Sequence, residues 1–212
     1  MPIKKIEDIE ELVIWGLWEI NEDIDFLLSN TILSKAESVE LDKIHHDKRM
    51  KEWLGARLVL KQLHEHLKLP YSGTIKDENN KPFLIKSSNH TSLAHCYPYA
   101  AAMIHFKHPC GIDIESPKPV LLNLAGKFLS EEELSYIPQE SKSLCTAWTA
   151  KEVLYKVFGK RNISFKNNLK LNSFTLNSTG QIEGTIHRDD FMKTYKLKYH
   201  QLGNHIICMS LK

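Results

Sequence analysis

The chain has 212 residues, 42% apolar and 25% charged, an ordinary balance for a soluble globular protein long enough to bury a sizeable core. Its 28 basic and 26 acidic residues leave a net charge of +2, too small for the footprint of a dedicated nucleic-acid binder, so no nucleic-acid partner is expected. Cys96, Cys110, Cys145 and Cys208 form no CxxC pair, which excludes a zinc knuckle and a disulfide scaffold. The apolar run 12–17 follows the acidic Glu7, Asp8, Glu10 and Glu11, so it does not read as a signal peptide. No apolar run is long enough to span a bilayer, and a reducing, cytoplasmic setting without a membrane partner is expected.

Over 35–67, Val39, Leu41, Ile44, Met50, Trp53, Leu54, Leu58, Leu60 and Leu63 recur at spacings near three and four, which predicts helix. Ser34 and Glu37 make a capping box at its start. The other face carries Lys48, Arg49, Lys51, Arg57 and Lys61, which taken alone reads as a solvated surface. A turn at 77–82 precedes three strand-like runs, 92–96, 99–106 and 110–115, read together as an antiparallel meander.

Ser116-Pro117-Lys118-Pro119 then breaks the chain, and a helix over 121–129 is followed by a second capping box, Ser130 with Glu133, opening a short helix over 131–136. The helix over 143–158 stops at Gly159, a residue suited to the left-handed position past a helix end. Two hairpins follow, 173–176 with 181–187 and 196–202 with 205–211. The expected architecture is therefore α+β with two similar lobes, each a helix plus an antiparallel sheet related by a pseudo-two-fold. The N-terminal lobe is 1–110 and the C-terminal lobe 111–212, with the active site at the seam.

Two segments carry chemistry. In Gly111-Ile112-Asp113-Ile114-Glu115, strand alternation puts Asp113 and Glu115 on one face while Ile112 and Ile114 pack inward. Two carboxylates so placed repel each other unless a cation lies between them, and an oxygen-only donor set suits magnesium. In Trp148-Thr149-Ala150-Lys151-Glu152, Trp148, Glu152 and the later Lys156 are spaced by four and share one helical stripe. Alone, the Glu–Lys pair is an ordinary surface ion pair. With the strand acids, a third carboxylate and a lysine make a plausible magnesium site acting on a phosphate ester.

Together these segments closely resemble the two signature motifs of the 4′-phosphopantetheinyl transferases, of the two-lobed kind typified by the surfactin synthetase activator and related to holo-acyl-carrier-protein synthase. Asn80-Lys81-Pro82-Phe83 resembles the family's Gly-Lys-Pro-aromatic turn, and Ser92-Leu93-Ala94-His95-Cys96 its Ile-Ser-His-Ser strand. Lys127-Phe128-Leu129-Ser130 with Glu133 is similar to its Arg-Phe-Phe-Ser-x-x-Glu helix, and Arg49, Gly55 and Arg57 to its basic first-lobe helix. The resemblance covers residues 30–176.

It implies transfer of phosphopantetheine from coenzyme A to a serine of an apo acyl or peptidyl carrier protein, releasing adenosine 3′,5′-bisphosphate. Asp113, Glu115 and Glu152 are then the magnesium ligands, Glu152 also accepts the serine proton, and Lys156 neutralises the leaving group. Arg49, Arg57, Lys61, Lys81, His95 and Lys151 are the implied cations for the coenzyme A phosphates. The sequence departs from the family at Ala94, Cys96, Val153 and Asn80, of which Val153 threatens to crowd its helix and Asn80 tolerates a left-handed turn. A self-sufficient monomer is expected. A magnesium-dependent nuclease and a non-catalytic carrier-protein-binding module are the competing readings.

Overall fold

A computed structural model describes residues 4–10 and 12–211, so Glu11 of the N-terminal acidic run lies outside the described residues. The chain divides into two compact units, Met1–Cys110 and Gly111–Lys212, each α+β with one antiparallel sheet. Among the described residues no helix is long and apolar enough to cross a membrane, and none of the four cysteines forms a disulfide.

The first unit contains β1 (Lys5–Glu10), β2 (Val13–Glu19), α1 (Ile24–Asn30), α2 (Lys35–Leu41), α3 (Asp47–His66), β3 (Thr74–Lys76), β4 (Pro82–Leu84), β5 (His90–Cys96) and β6 (Tyr99–His105). Its sheet runs β1-β2-β6-β5-β4-β3. Trp53, Leu54, Leu58 and Leu60 from α3 bury against Ile14 and Trp18 of β2 and Ala100, Ala102 and Ile104 of β6. The alternate alanines and Gly55 permit close approach: a Cβ at Gly55 would lie 3.0 Å from Ile20 Cδ1 and 3.1 Å from Ala100 Cβ. The single helix expected over 35–67 is thus two. Leu41 and Ile44 both pack on this core, so the apolar period runs on through a turn that the sequence does not mark.

The second unit contains β7 (Ile112–Glu115), α4 (Val120–Phe128), α5 (Glu131–Tyr136), α6 (Ser141–Phe158), β8 (Leu169–Leu171), β9 (Thr179–Arg188), β10 (Phe191–Leu202) and β11 (His205–Ser210), in the sheet order β7-β11-β10-β9-β8. The strand expected to complete a meander after β6 is instead β7. It pairs with β11, Ile114 opposite Ile207 and Asp113 opposite Cys208, at the far end of the chain. The hairpin over 205–211 forms as expected, but the strand expected at 173–176 lies earlier, at β8, where Leu169 and Leu171 enter the core. The β9–β10 hairpin turns at Asp189, whose φ is 51°, with no glycine to announce it. Gly159 ends α6 with φ 66°, and Asn80 adopts φ 67° in the turn before β4.

One device recurs in both units. The capping-box glutamate of a short helix is buried, and it ties the long helix to the edge strand. In the first unit Glu37 caps α2, accepts the N–H and hydroxyl of Thr74 in β3 at 3.0 and 2.5 Å, and faces Arg57 Nε of α3 at 3.0 Å. The Arg57 guanidinium lies 3.2 Å above the Trp53 ring. In the second unit Glu133 caps α5, accepts Leu171 N–H in β8 at 2.9 Å, and pairs with Lys151 of α6 at 2.7 Å. Lys151 also donates to the carbonyls of Phe128 and Phe165, both at 2.8 Å, and is 0% exposed.

A buried pair broken on one side leaves an uncompensated charge. Lys151→Met and Glu133→Gln are each expected to lower unfolding free energy by roughly 3–5 kcal/mol, and the double variant to lose less than the sum. Urea denaturation of the four proteins measures this, and strictly additive losses would refute the clamp.

Candidate active site

The second unit brings the two chemical segments together because α6 crosses β7 on the face that carries Asp113 and Glu115. Ile112 and Ile114 are fully buried, and alternation turns the two acids the other way. The approach is close only because residue 111 lacks a side chain: a Cβ there would sit 2.4 Å from the Val153 carbonyl oxygen. Val153 is fully buried in the helix–sheet core, and its helix is accommodated at Gly111. The expected crowding is therefore met by a missing side chain on the facing strand.

The stripe Trp148, Glu152, Lys156 lies along this seam of helix and strand. Lys156 Nζ donates to Asp113 Oδ1 at 2.7 Å and to the Ile112 carbonyl at 2.8 Å. At the other end Trp148 lies beside Glu115 and favours its charged form, and Lys118 approaches that carboxylate at 3.9 Å. Trp148 is itself fixed between Phe128 and Phe165, with centroid separations of 5.2 Å to each. Glu152 falls between the two anchored ends. Sequence reasoning placed Trp148 on the stripe without a role, although helical spacing alone puts it one turn from Glu152.

Three carboxylates here face one lysine. Burial pushes Asp113 above the usual carboxylate range, against the pull of Lys156. Glu115 is raised by burial and then by Asp113, against Lys118, Lys156 and Trp148. Glu152 is pushed up to about 7, first by burial and then by the charge of Asp113, with Lys156 opposing and Glu115 adding. Asp113 Oδ2 is buried with no hydrogen-bond partner among the described residues. Among those residues no three His, Cys, Asp or Glu side chains gather closely enough to hold a metal ion by themselves. A hard cation that keeps several waters does not require three.

The first-unit cations separate into two kinds. Arg49 is half exposed, and its Nη1 lies 2.8 and 3.2 Å from the two ring nitrogens of His95. Lys61 forms a surface pair with Glu65 at 3.1 Å. Lys81 is partly buried beside Asp77 and Cys110, and burial lowers its proton affinity. Arg57, however, is 4% exposed and committed to Glu37, as Lys151 in the second unit is committed to Glu133. Arg57 and Lys151 were expected to meet phosphate. The structure gives them acceptors inside the core instead, because a buried cation must be paired where it stands. Glu52, which the sequence reading passed over, contacts His95 and Arg49 from α3.

Comparison with known families matches residues 109–210 to the 4′-phosphopantetheinyl transferase superfamily. The comparison with curated proteins found no match.

The carboxylate cluster makes a prediction for the metal-free protein. A glutamate whose folded-state pKa is raised adds stability that is complete below the unfolded value and is lost as pH rises through the folded one. Stability is therefore expected to decline between about 4.5 and about 7, and Glu152→Gln to flatten that decline. Urea melts against pH in the presence of a chelator test this, and a variant with the wild-type slope would contradict it.

Proposed function

We propose that this chain, whose residues 109–210 match the 4′-phosphopantetheinyl transferase superfamily, transfers the phosphopantetheine of coenzyme A to a serine of an apo acyl or peptidyl carrier protein. Adenosine 3′,5′-bisphosphate is the other product. The observation that carries this reading is the set of three carboxylates, Asp113, Glu115 and Glu152, arranged about Lys156.

The donor set fits magnesium. It is all oxygen, Asp113 Oδ2 is buried without a partner among the described residues, and the repulsion from Asp113 and Glu115 that adds to burial in raising Glu152 is relieved by a divalent cation. Asp113, Glu115 and Glu152 would hold the ion. Bound there, magnesium supplies charge neutralisation for the coenzyme A pyrophosphate.

The remaining work falls to the chain's own groups. As the serine oxygen forms its bond to phosphorus and the pyrophosphate P–O bond breaks, Glu152 takes the hydroxyl proton. Lys156, held by Asp113 and the Ile112 carbonyl, offsets the negative charge that grows on the departing bisphosphate. Arg49 and His95 are assigned to the 3′-phosphate, with Lys81 and Lys61 as further phosphate cations. Arg57 and Lys151 are not included, since both are spent inside the fold. The protein is taken to act as a cytoplasmic monomer.

Glu152→Gln and Lys156→Ala are each expected to slow carrier labelling by about 10²–10³-fold while thermal unfolding stays cooperative. Intact-mass spectrometry of a panel of apo carriers, with coenzyme A and with or without magnesium, gives the readout. Near-normal transfer by either folded variant, or transfer undiminished by chelation, would defeat the assignment.

A further inference from the structure

The cations assigned to the 3′-phosphate do not form a simple positive patch. Glu52 lies one turn along α3 from Arg49, with its Oε2 3.8 Å from Arg49 Nη1 and 3.6 Å from His95 Nδ1. Its Oε1 accepts the Tyr97 N–H at 2.9 Å. The side chain is only 14% exposed, so this carboxylate is held on three sides. Arg49 Nη1 lies against both ring nitrogens of His95, so the guanidinium, the imidazole and the carboxylate form one contact group. The Glu52 carboxylate thus stands against the fixed positive charge of Arg49.

Two nearby lysines have contacts of their own. Lys51 donates to the Glu22 carbonyl at 2.8 Å, and Lys48 lies 5.4 Å over the Tyr97 ring. A phosphate monoester brought to Arg49 and His95 therefore meets a fixed carboxylate at the same two groups. Like charges at that range cost binding, and the cost falls only on a substrate that carries the extra phosphate.

We propose that Glu52 is a specificity-determining residue whose carboxylate offsets Arg49 and His95, so that the enzyme discriminates little between coenzyme A and 3′-dephospho-coenzyme A. The inference rests on the transferase reading and on the assignment of Arg49 and His95 to the 3′-phosphate. It adds the substrate class: pantetheine-bearing adenine dinucleotides with or without the 3′-phosphate.

The test compares kcat/KM for carrier labelling by the two substrates in the wild type and in Glu52→Gln, whose amide oxygen still accepts from Tyr97. Glu52→Ser is run in parallel, so that a folding defect in one variant does not decide the outcome. The wild-type preference for coenzyme A is expected to stay within about threefold, and removal of the charge to raise it about tenfold. A wild-type preference above about a hundredfold, or a ratio unmoved in both variants, overturns the proposal.

Calorimetric binding of adenosine 3′,5′-bisphosphate against adenosine 5′-monophosphate provides a readout independent of transfer, with the same shift in ratio expected. Absence of labelling by both substrates would sink the transferase reading, and the binding ratio would still decide for or against Glu52. If the wild type and both variants bind neither nucleotide, the role of Glu52 is refuted.

Discussion

The Glu133–Lys151 pair is the interaction on which the arrangement of the second unit depends. One carboxylate joins the start of α5, the middle of α6 and the edge strand β8, and the lysine adds the carbonyls of Phe128 and Phe165. Buried charges give little net stability, because desolvation offsets their attraction, but they are intolerant of any other geometry. Fixing Lys151 fixes the rotation of α6 about its axis. Glu152, about a hundred degrees further round, is then directed to one side, and Lys156 one turn on reaches Asp113. The residue next to the acid thus serves the site by being unable to reach a ligand.

Within that frame the site holds unfavourable electrostatics. Asp113, Glu115 and Glu152 are all raised above their ordinary proton affinities, and Lys156 compensates only in part. A core optimised for stability alone would not place three acids there. Rule-breaking of this kind is concentrated where a protein does chemistry, and the surrounding helix–strand packing, close at Gly111, holds it in place.

The two units share a topology without sharing that chemistry. Apart from β1, the orders β2-β6-β5-β4-β3 and β7-β11-β10-β9-β8 correspond strand for strand. Arg57 and Lys151 are each the eleventh residue of their long helix, and each meets a capping-box glutamate. The residues one and five places beyond differ: Leu58 and Gln62 after Arg57, Glu152 and Lys156 after Lys151. The same scaffold is present in both units, and the cluster of three acids with a lysine is present on the second.

By itself the sequence determined whatever depends on local spacing. The two capping boxes, the stop at Gly159, the left-handed Asn80, the acids alternating along β7 and the Trp148–Glu152–Lys156 stripe all follow from turn chemistry and periods of 2 and about 3.6. Pairings over long separations were not legible, since β7 looks like a continuation of β6 until β11 supplies its partner. The break between α2 and α3 was also hidden, because both helices feed one core. Only the tertiary structure sorted the cations. Arg49, Arg57 and Lys151 are alike as letters in a helix, but a charge that folding removes from water must find its counter-charge inside. Burial therefore made Arg57 and Lys151 structural and left Arg49 beside His95 and Glu52.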